Sequence, residues 1–167
     1  MFFIKKKFLL TIVCKANITR SAYFAAYLIN LVNKNYPYLK NRIEIKSFGI
    51  DAKQGSPAHE VTKLVAQLNG FSLNNHRSSI CTKSIMKKSN AILVMENWQK
   101  EKLINEYPQA SDKIFLIMEY LWHGSSFDKK EIPDPTGKNF EEYNEFINIA
   151  HAESERILHE LSREEIL

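Results

Sequence analysis

Cys14 and Arg20 stand six residues apart in the stretch Cys14-Lys15-Ala16-Asn17-Ile18-Thr19-Arg20-Ser21, a thiol nucleophile and a guanidinium fork placed to meet one oxyanion. The apolar run Phe8 to Val13 precedes this stretch, and apolar residues at helical spacing follow from Ala22 to Val32. A strand, a short loop and a helix N-terminus in succession converge backbone N–H groups on an anion. Such a ring of donors, facing a guanidinium, favours the thiolate form of a cysteine. In-line attack on a phosphate monoester would form a phosphocysteine, with Arg20 and the loop amides on the equatorial oxygens. The competing reading is an inert cysteine at a strand end beside a surface arginine.

A phosphocysteine cycle needs an acid for the departing oxygen and then a base for water, and one carboxyl group on a loop suits both roles. Asp134 lies between Pro133 and Pro135, inside the long stretch Glu119 to Asn139, where periodicity disappears. The alternative is a turn aspartate serving local hydrogen bonds. Asp51, Asp112 and Asp128 have no comparable context.

The elements that must position these groups follow from hydrophobic pattern. Phe8 to Val13 is continuously apolar, as in a strand buried on both faces. A first helix is predicted from about Ser21 to Asn33, with Ala22, Ala25, Ala26, Ile29 and Val32 inward. Arg42 to Ser47 alternates as a second strand, closed by Gly49. Ser56-Pro57 has the form of a cap followed by proline at the first helical position. That helix would bury Val61, Leu64, Val65 and Leu68 and stop at Asn69-Gly70. A polar loop from Ser72 to Ile80, a short helix from Thr82 to Lys88, a strand from Ala91 to Met95 and a helix from Trp98 to Tyr107 follow. Ile114 to Met118 is a fourth strand. The last helix, about Phe140 to Leu161, carries Phe140, Tyr143, Phe146, Ile147, Ala150, Ile157 and Leu161 on one side. The pattern predicts one α/β domain over residues 1–167, a four-stranded parallel twisted sheet with helices on both faces and the active loop at its carboxyl edge.

Composition is consistent with that frame. The chain has 167 residues, 44% of them hydrophobic, enough for one domain with a real core. The net charge is +4, but Lys and Arg are dispersed apart from Lys5-Lys6-Lys7, which argues against a nucleic-acid face. Two cysteines, Cys14 and Cys81, are too few for a disulfide framework and match no zinc spacing. No metal or cofactor is expected, and the setting is read as reduced and cytoplasmic, with export lacking a recognisable signal as the alternative. Met1 to Val13 resembles a signal peptide only superficially, since Cys14-Lys15 follows without a small-residue cleavage pattern. No run approaches the ~20 apolar residues of a membrane helix.

With these residues in place, the chain resembles a low-molecular-weight protein tyrosine phosphatase of bacterial type over almost its whole length. The resemblance rests on Cys14 to Ser21 after the first strand and on Asp134-Pro135 before the last helix. Ser47 with Gly49, His76, Ile92-Leu93-Val94-Met95 and Phe140-Glu141-Glu142-Tyr143 extend it. It implies that Cys14 is the nucleophile, Arg20 the phosphate clamp and Asp134 the general acid, on a loop of Lys15, Ala16, Asn17, Ile18, Thr19 and Arg20. Asn17, Ser21, Ser47 and His76 would hold that loop in shape, and Lys15, Phe48 and Thr136 would form the pocket rim. The implied partner is a phosphotyrosine protein or another phosphomonoester, with inorganic phosphate or vanadate as inhibitor and a monomer as the expected state.

The departures from the family pattern lie in the same loop and its rim. Alanine replaces the usual glycine at Ala16, at an expected cost of about 1 kcal/mol. Thr19 replaces a second cysteine and so removes the thiol that could trap an oxidised Cys14. Lys15 stands for an apolar residue, Thr136 for an aromatic one, Phe48 for a small one and Ser79 for an arginine. Three alternatives to phosphotyrosine hydrolysis remain: a phosphate- or phosphotyrosine-binding adaptor with little turnover, a phosphoinositide phosphatase, and an arsenate reductase. The last needs further cysteines after the third strand, where the chain reads Met95-Glu96-Asn97-Trp98.

Overall fold

The computed structural model of the chain describes residues 6–124 and 131–163. Asp128 and the start of the N-terminal segment weighed as a signal peptide lie outside them. Four strands, β1 (Phe8–Cys14), β2 (Ile43–Gly49), β3 (Ala91–Val94) and β4 (Ile114–Leu116), form one sheet in the order β2-β1-β3-β4. All three pairings are parallel. β1 is therefore central, and every one of its residues after Phe8 is buried, which is why it reads as a continuous apolar run rather than an alternating one. Helices α1 (Arg20–Lys34), α2 (Glu60–Leu68), α3 (Lys83–Lys88), α4 (Asn97–Glu106) and α5 (Phe140–Arg163) connect or flank the strands.

Alternation along β1 and β3 divides the interior in two. Leu10, Ile12, Cys14, Leu93 and Met95 face a large core built with α1 and α5. Val13, Ile92 and Val94 face a smaller one shared with Met86 of α3 and Leu103 of α4. The helices thus cover both faces of the sheet, as the pattern predicts. Among the described residues no helix is long and apolar enough to cross a membrane.

Three expectations about packing need correction. The inward face of α1 is wider than its small residues suggested: Tyr23, Phe24, Tyr27, Leu28 and Leu31 are buried while Ile29 is exposed. The start of α2 lies at Glu60, after His59. Ser56 does not cap a helix, because its N–H and C=O are spent on Ser78 Oγ (3.0 Å) and Ser78 N–H (2.8 Å). With that shift, Thr62 and Ala66 turn inward, and Val61, Leu64 and Leu68 are exposed. Phe140 at the start of α5 is likewise 82% exposed.

The loop after β1 is locked to the loop after β2. Ile50 N–H donates to Cys14 O and Asp51 N–H to Lys15 O, each at 2.9 Å. A Cβ built on Gly49 would fall 2.6 Å from Lys15 O, 2.8 Å from Ala52 Cβ and 2.9 Å from Ala16 C. Backbone atoms cannot yield as a flexible side chain does, so Gly49→Ala must displace the Cys14 loop. It is expected to destabilise the fold by about 1–3 kcal/mol, read as a lower denaturant midpoint with unchanged slope.

Candidate active site

The loop between β1 and α1 is built around Asn17, which is fully buried and adopts φ 57°. Asparagine tolerates this left-handed conformation better than most residues. Ala16 is not among the described residues with positive φ, so the cost expected from its lacking glycine's freedom does not arise there. Asn17 Nδ2 donates to Ser21 Oγ and to Ser47 Oγ, both at 2.9 Å. Its Oδ1 accepts from Ser79 N–H at 3.0 Å, and its carbonyl meets His76 Nε2 at 2.7 Å. Asn17, Ser21, Ser47 and His76 thus do converge, with the backbone of Ser79 as a further partner.

The same arrangement surrounds Cys14. Asn17 N–H points at Cys14 Sγ from 3.3 Å, and Ser21 Oγ lies 3.0 Å from the sulfur. Because Ser21 Oγ accepts from Asn17, its own proton is left for the sulfur or for Phe48 O at 3.3 Å. Cys14 is 3% exposed. Cys81 belongs to the opposite core, and burial pushes its thiol up to about 12, Glu106 adding to the effect. It bonds through its N–H to Gly49 O, and Gly49 pairs with Cys14. The two cysteines are therefore about two strand spacings, ~10 Å, apart, too far for a disulfide without backbone movement. Both are free.

Arg20 is 2% exposed and gathers the other groups. Its Nη1 donates to Glu96 Oε2 (2.5 Å) and Ile132 O (2.8 Å), and its Nη2 to Asp134 Oδ2 (3.1 Å). Arg20 Nε is buried without a partner among the described residues. Burial works against ionised Asp134, but hydrogen bonding from Thr136, and then Arg20, outweigh it and hold the carboxyl below the usual carboxylate range. The loop amide that does this is Thr136 N–H, 3.0 Å from Asp134 Oδ1. Arg20 and Asp134 thus meet across the carboxyl edge of the sheet, the edge at which β1 ends in Cys14.

Residues 9–166 match the family model described as low molecular weight phosphotyrosine protein phosphatase. The chain belongs to that family. A protein-arginine-phosphatase of Geobacillus stearothermophilus is 32% identical over 131 residues, 78% of this chain and 80% of the relative. The low molecular weight protein-tyrosine-phosphatase Ptp of Acinetobacter johnsonii is 32% identical over 124 residues, 74% of this chain and 77% of the relative. Among solved structures, an arginine phosphatase from G. stearothermophilus superposes with a TM-score of 0.82 at 28% identity, covering 95% and 96% of the two chains. The tyrosine phosphatase Wzb from Escherichia coli K30, in complex with sulphate, gives 0.79 at 27% identity, covering 93% and 99%. The protein is accordingly a low molecular weight protein phosphatase, in a family of cysteine-dependent hydrolases.

Within this phosphatase, the rim residues differ in setting. Lys15 is exposed at the loop, and Phe48 is half-buried against the smaller core, so its ring is a packing element. Thr136 sits beside the loop with its hydroxyl donating to Thr19 Oγ1 at 3.0 Å. Glu96 is the residue that sequence reasoning passed over. It stands in a stretch notable only for lacking cysteines, yet it lies two residues past the end of β3 and so emerges at the carboxyl edge with Cys14, where such sheets place their ligands. Buried Gln99 fixes it: Gln99 Nε2 donates to Glu96 Oε2 and its Oε1 accepts from Met95 N–H, both at 3.0 Å. Among the described residues no cluster of three or more His, Cys, Asp or Glu could hold a metal ion.

The depressed pKa of Asp134 has a signed consequence for stability. Its folded value lies below its unfolded one, so its stabilising share is present above about pH 4 and is lost as pH falls through the folded value. Thermal unfolding of the native protein and of Asp134→Asn is expected to differ at pH 7 and to converge in acid. A gap of equal size across the pH range would contradict that linkage.

Proposed function

We propose that the protein hydrolyses phosphomonoesters of proteins, phosphotyrosine foremost, through a phosphocysteine on Cys14. The reading rests on the Arg20–Asp134 ion pair, which sets a carboxyl group beside the guanidinium that would clamp the phosphate. Arriving substrate competes with Asp134 for Arg20, and Asp134 is the partner free to yield: its side chain is 46% exposed against 23% for Glu96, which Gln99 also holds. Once the dianion replaces Asp134 on the guanidinium, the carboxyl loses a positive neighbour and gains a negative one. Both changes raise its proton affinity, which suits a general acid.

The sulfur of Cys14 then attacks phosphorus in line, the P–S bond forming as the P–O bond to the leaving group breaks. Asp134 gives its proton to the departing oxygen. Arg20 and the loop N–H groups take the charge on the equatorial oxygens. In the second step water attacks phosphorus, Asp134 removes its proton, and the P–S bond breaks to release inorganic phosphate and the thiolate. Ser21, held by Asn17, remains beside the sulfur in both steps. No step calls for a metal or a cofactor.

A second reading, protein phosphoarginine as substrate, is favoured by the similarity to an arginine phosphatase together with Thr136, which offers no ring to face an aryl leaving group. Arsenate reduction fits less well, because the described cysteines are Cys14 and Cys81, on opposite sides of the sheet.

Cys14→Ser is expected to abolish vanadate-sensitive hydrolysis of an aryl phosphate, and full activity in that variant would refute the mechanism. Asp134→Asn should slow turnover by about 10²–10⁴ for poor leaving groups and much less for good ones. Steady-state comparison of phosphotyrosine, phosphoarginine and phosphoserine peptides with a phosphoinositide separates the substrate classes. Phosphate binding without hydrolysis of any of them would make the protein an adaptor.

A further inference from the structure

Thr19 occupies the N-cap position of α1, where a threonine hydroxyl ordinarily accepts from the first turn of the helix. Here it makes no capping hydrogen bond. The first-turn amides are therefore not spent on it, and its hydroxyl, 3% exposed as a residue, turns instead toward the acid loop. Thr136 Oγ1 donates to Thr19 Oγ1 at 3.0 Å. Behind Thr19 stands Tyr143 of α5, a buried phenol whose pKa is pushed up chiefly by burial, with Thr62 and Thr19 opposing that shift. Thr62 Oγ1 and Tyr143 OH are 2.7 Å apart, and Thr62 is fully buried in α2. Two hydroxyl pairs, Thr62 with Tyr143 and Thr19 with Thr136, thus stand between the interior and the acid loop. Two residues beyond Asp134, the Thr136–Thr19 bond is, among the described residues, a side-chain tie between the Asp134 turn and the phosphate loop that does not pass through Arg20.

We infer that Thr19 and Thr136 are positioning residues that keep the Asp134 turn docked beside Cys14 when substrate draws Arg20 away. The need for a second tie follows from the proposed mechanism, on which this inference rests. In the free protein Arg20 itself holds Asp134, but a phosphate on the guanidinium dissolves that bond at the moment when the carboxyl must be in place. Ile132 O, the other attachment to Arg20, precedes Pro133 and fixes the turn on one side only. The Thr136–Thr19 bond fixes it on the other. It also explains why two departures from the family pattern, a threonine for the second cysteine and a threonine for the aromatic residue, occur together. Each hydroxyl supplies the partner of the other.

The test is a double-mutant cycle with the isosteric, hydroxyl-deleting changes Thr19→Val and Thr136→Val, together with Thr136→Ser. Turnover is measured for phenyl phosphate, a poor leaving group, and 4-nitrophenyl phosphate, a good one, with vanadate affinity and thermal midpoint alongside. Each valine variant is expected to lose about 10- to 100-fold in kcat for phenyl phosphate with KM and vanadate affinity nearly unchanged. Loss for 4-nitrophenyl phosphate should be small. The double variant should be no worse than the singles, since both delete the same bond, and Thr136→Ser should restore the native rate. Additive losses, equal losses on both substrates, or a serine variant as slow as the valine would overturn the inference. Cys14→Ser, assayed in parallel, separates that outcome from failure of the mechanism itself: if it retains activity, the phosphocysteine reading falls, whatever the threonines do.

Discussion

A guanidinium withdrawn almost wholly from water needs counter-charges and acceptors, because an unpaired buried charge costs several kcal/mol. Arg20 finds them in Glu96, Asp134 and the Ile132 carbonyl, and these come from the end of β3 and from the turn before α5. The requirement of one side chain therefore draws together segments more than a hundred residues apart. The arrangement is poised rather than closed. One positive charge faces two negative ones, so an arriving anion can take over a carboxylate's place on the guanidinium, and the more exposed carboxylate is the one free to go.

Asn17 performs the corresponding task for the sulfur. Its amide reaches two serines from separate elements, its Oδ1 caps the Ser79 backbone, and its own N–H is aimed at Cys14. A residue in a left-handed conformation with every polar group engaged is over-determined, which is how strained loops persist. His76 and Ser47 earn their places through Asn17 rather than through any contact with the sulfur. Parallel strand order supplies the rest: with β1 in the middle, loops after β1, β2 and β3 open on one edge, and the cradle is assembled from all three.

Much of this was legible in the residues. Cysteine and arginine at fixed spacing after an apolar run locate the loop, and an aspartate between prolines locates the carboxylate that meets Arg20, because both signals are local. The four strands were equally plain, since a central parallel sheet buries whole runs. What the chain order concealed depended on tertiary partners. Ser56-Pro57 has a helix start's chemistry, but Ser78 takes its backbone bonds, and the delayed start turns Val61, Leu64 and Leu68 outward. Glu96 carried no spacing signal, and its role appears only when β3 is seen beside β1. Thr19 and Thr136 looked like two separate losses, and their pairing across the site is invisible until the acid turn is folded over the loop.

The backbone of Ile132 is held from both sides, its N–H by Met95 O at 2.8 Å and its C=O by Arg20 at 2.8 Å. Asp134 is placed by Ile132, two prolines and Thr136 within the turn, and by Arg20 and Thr19 across from it. Glu131, the residue before Ile132, accepts from Asn97 N–H at the start of α4, so two successive residues pin the turn to the segment after β3. The reach of the carboxylate is thereby metered from the sheet: at ~3.5 Å of chain per residue, one residue inserted between Ile132 and Asp134 would carry it past the guanidinium.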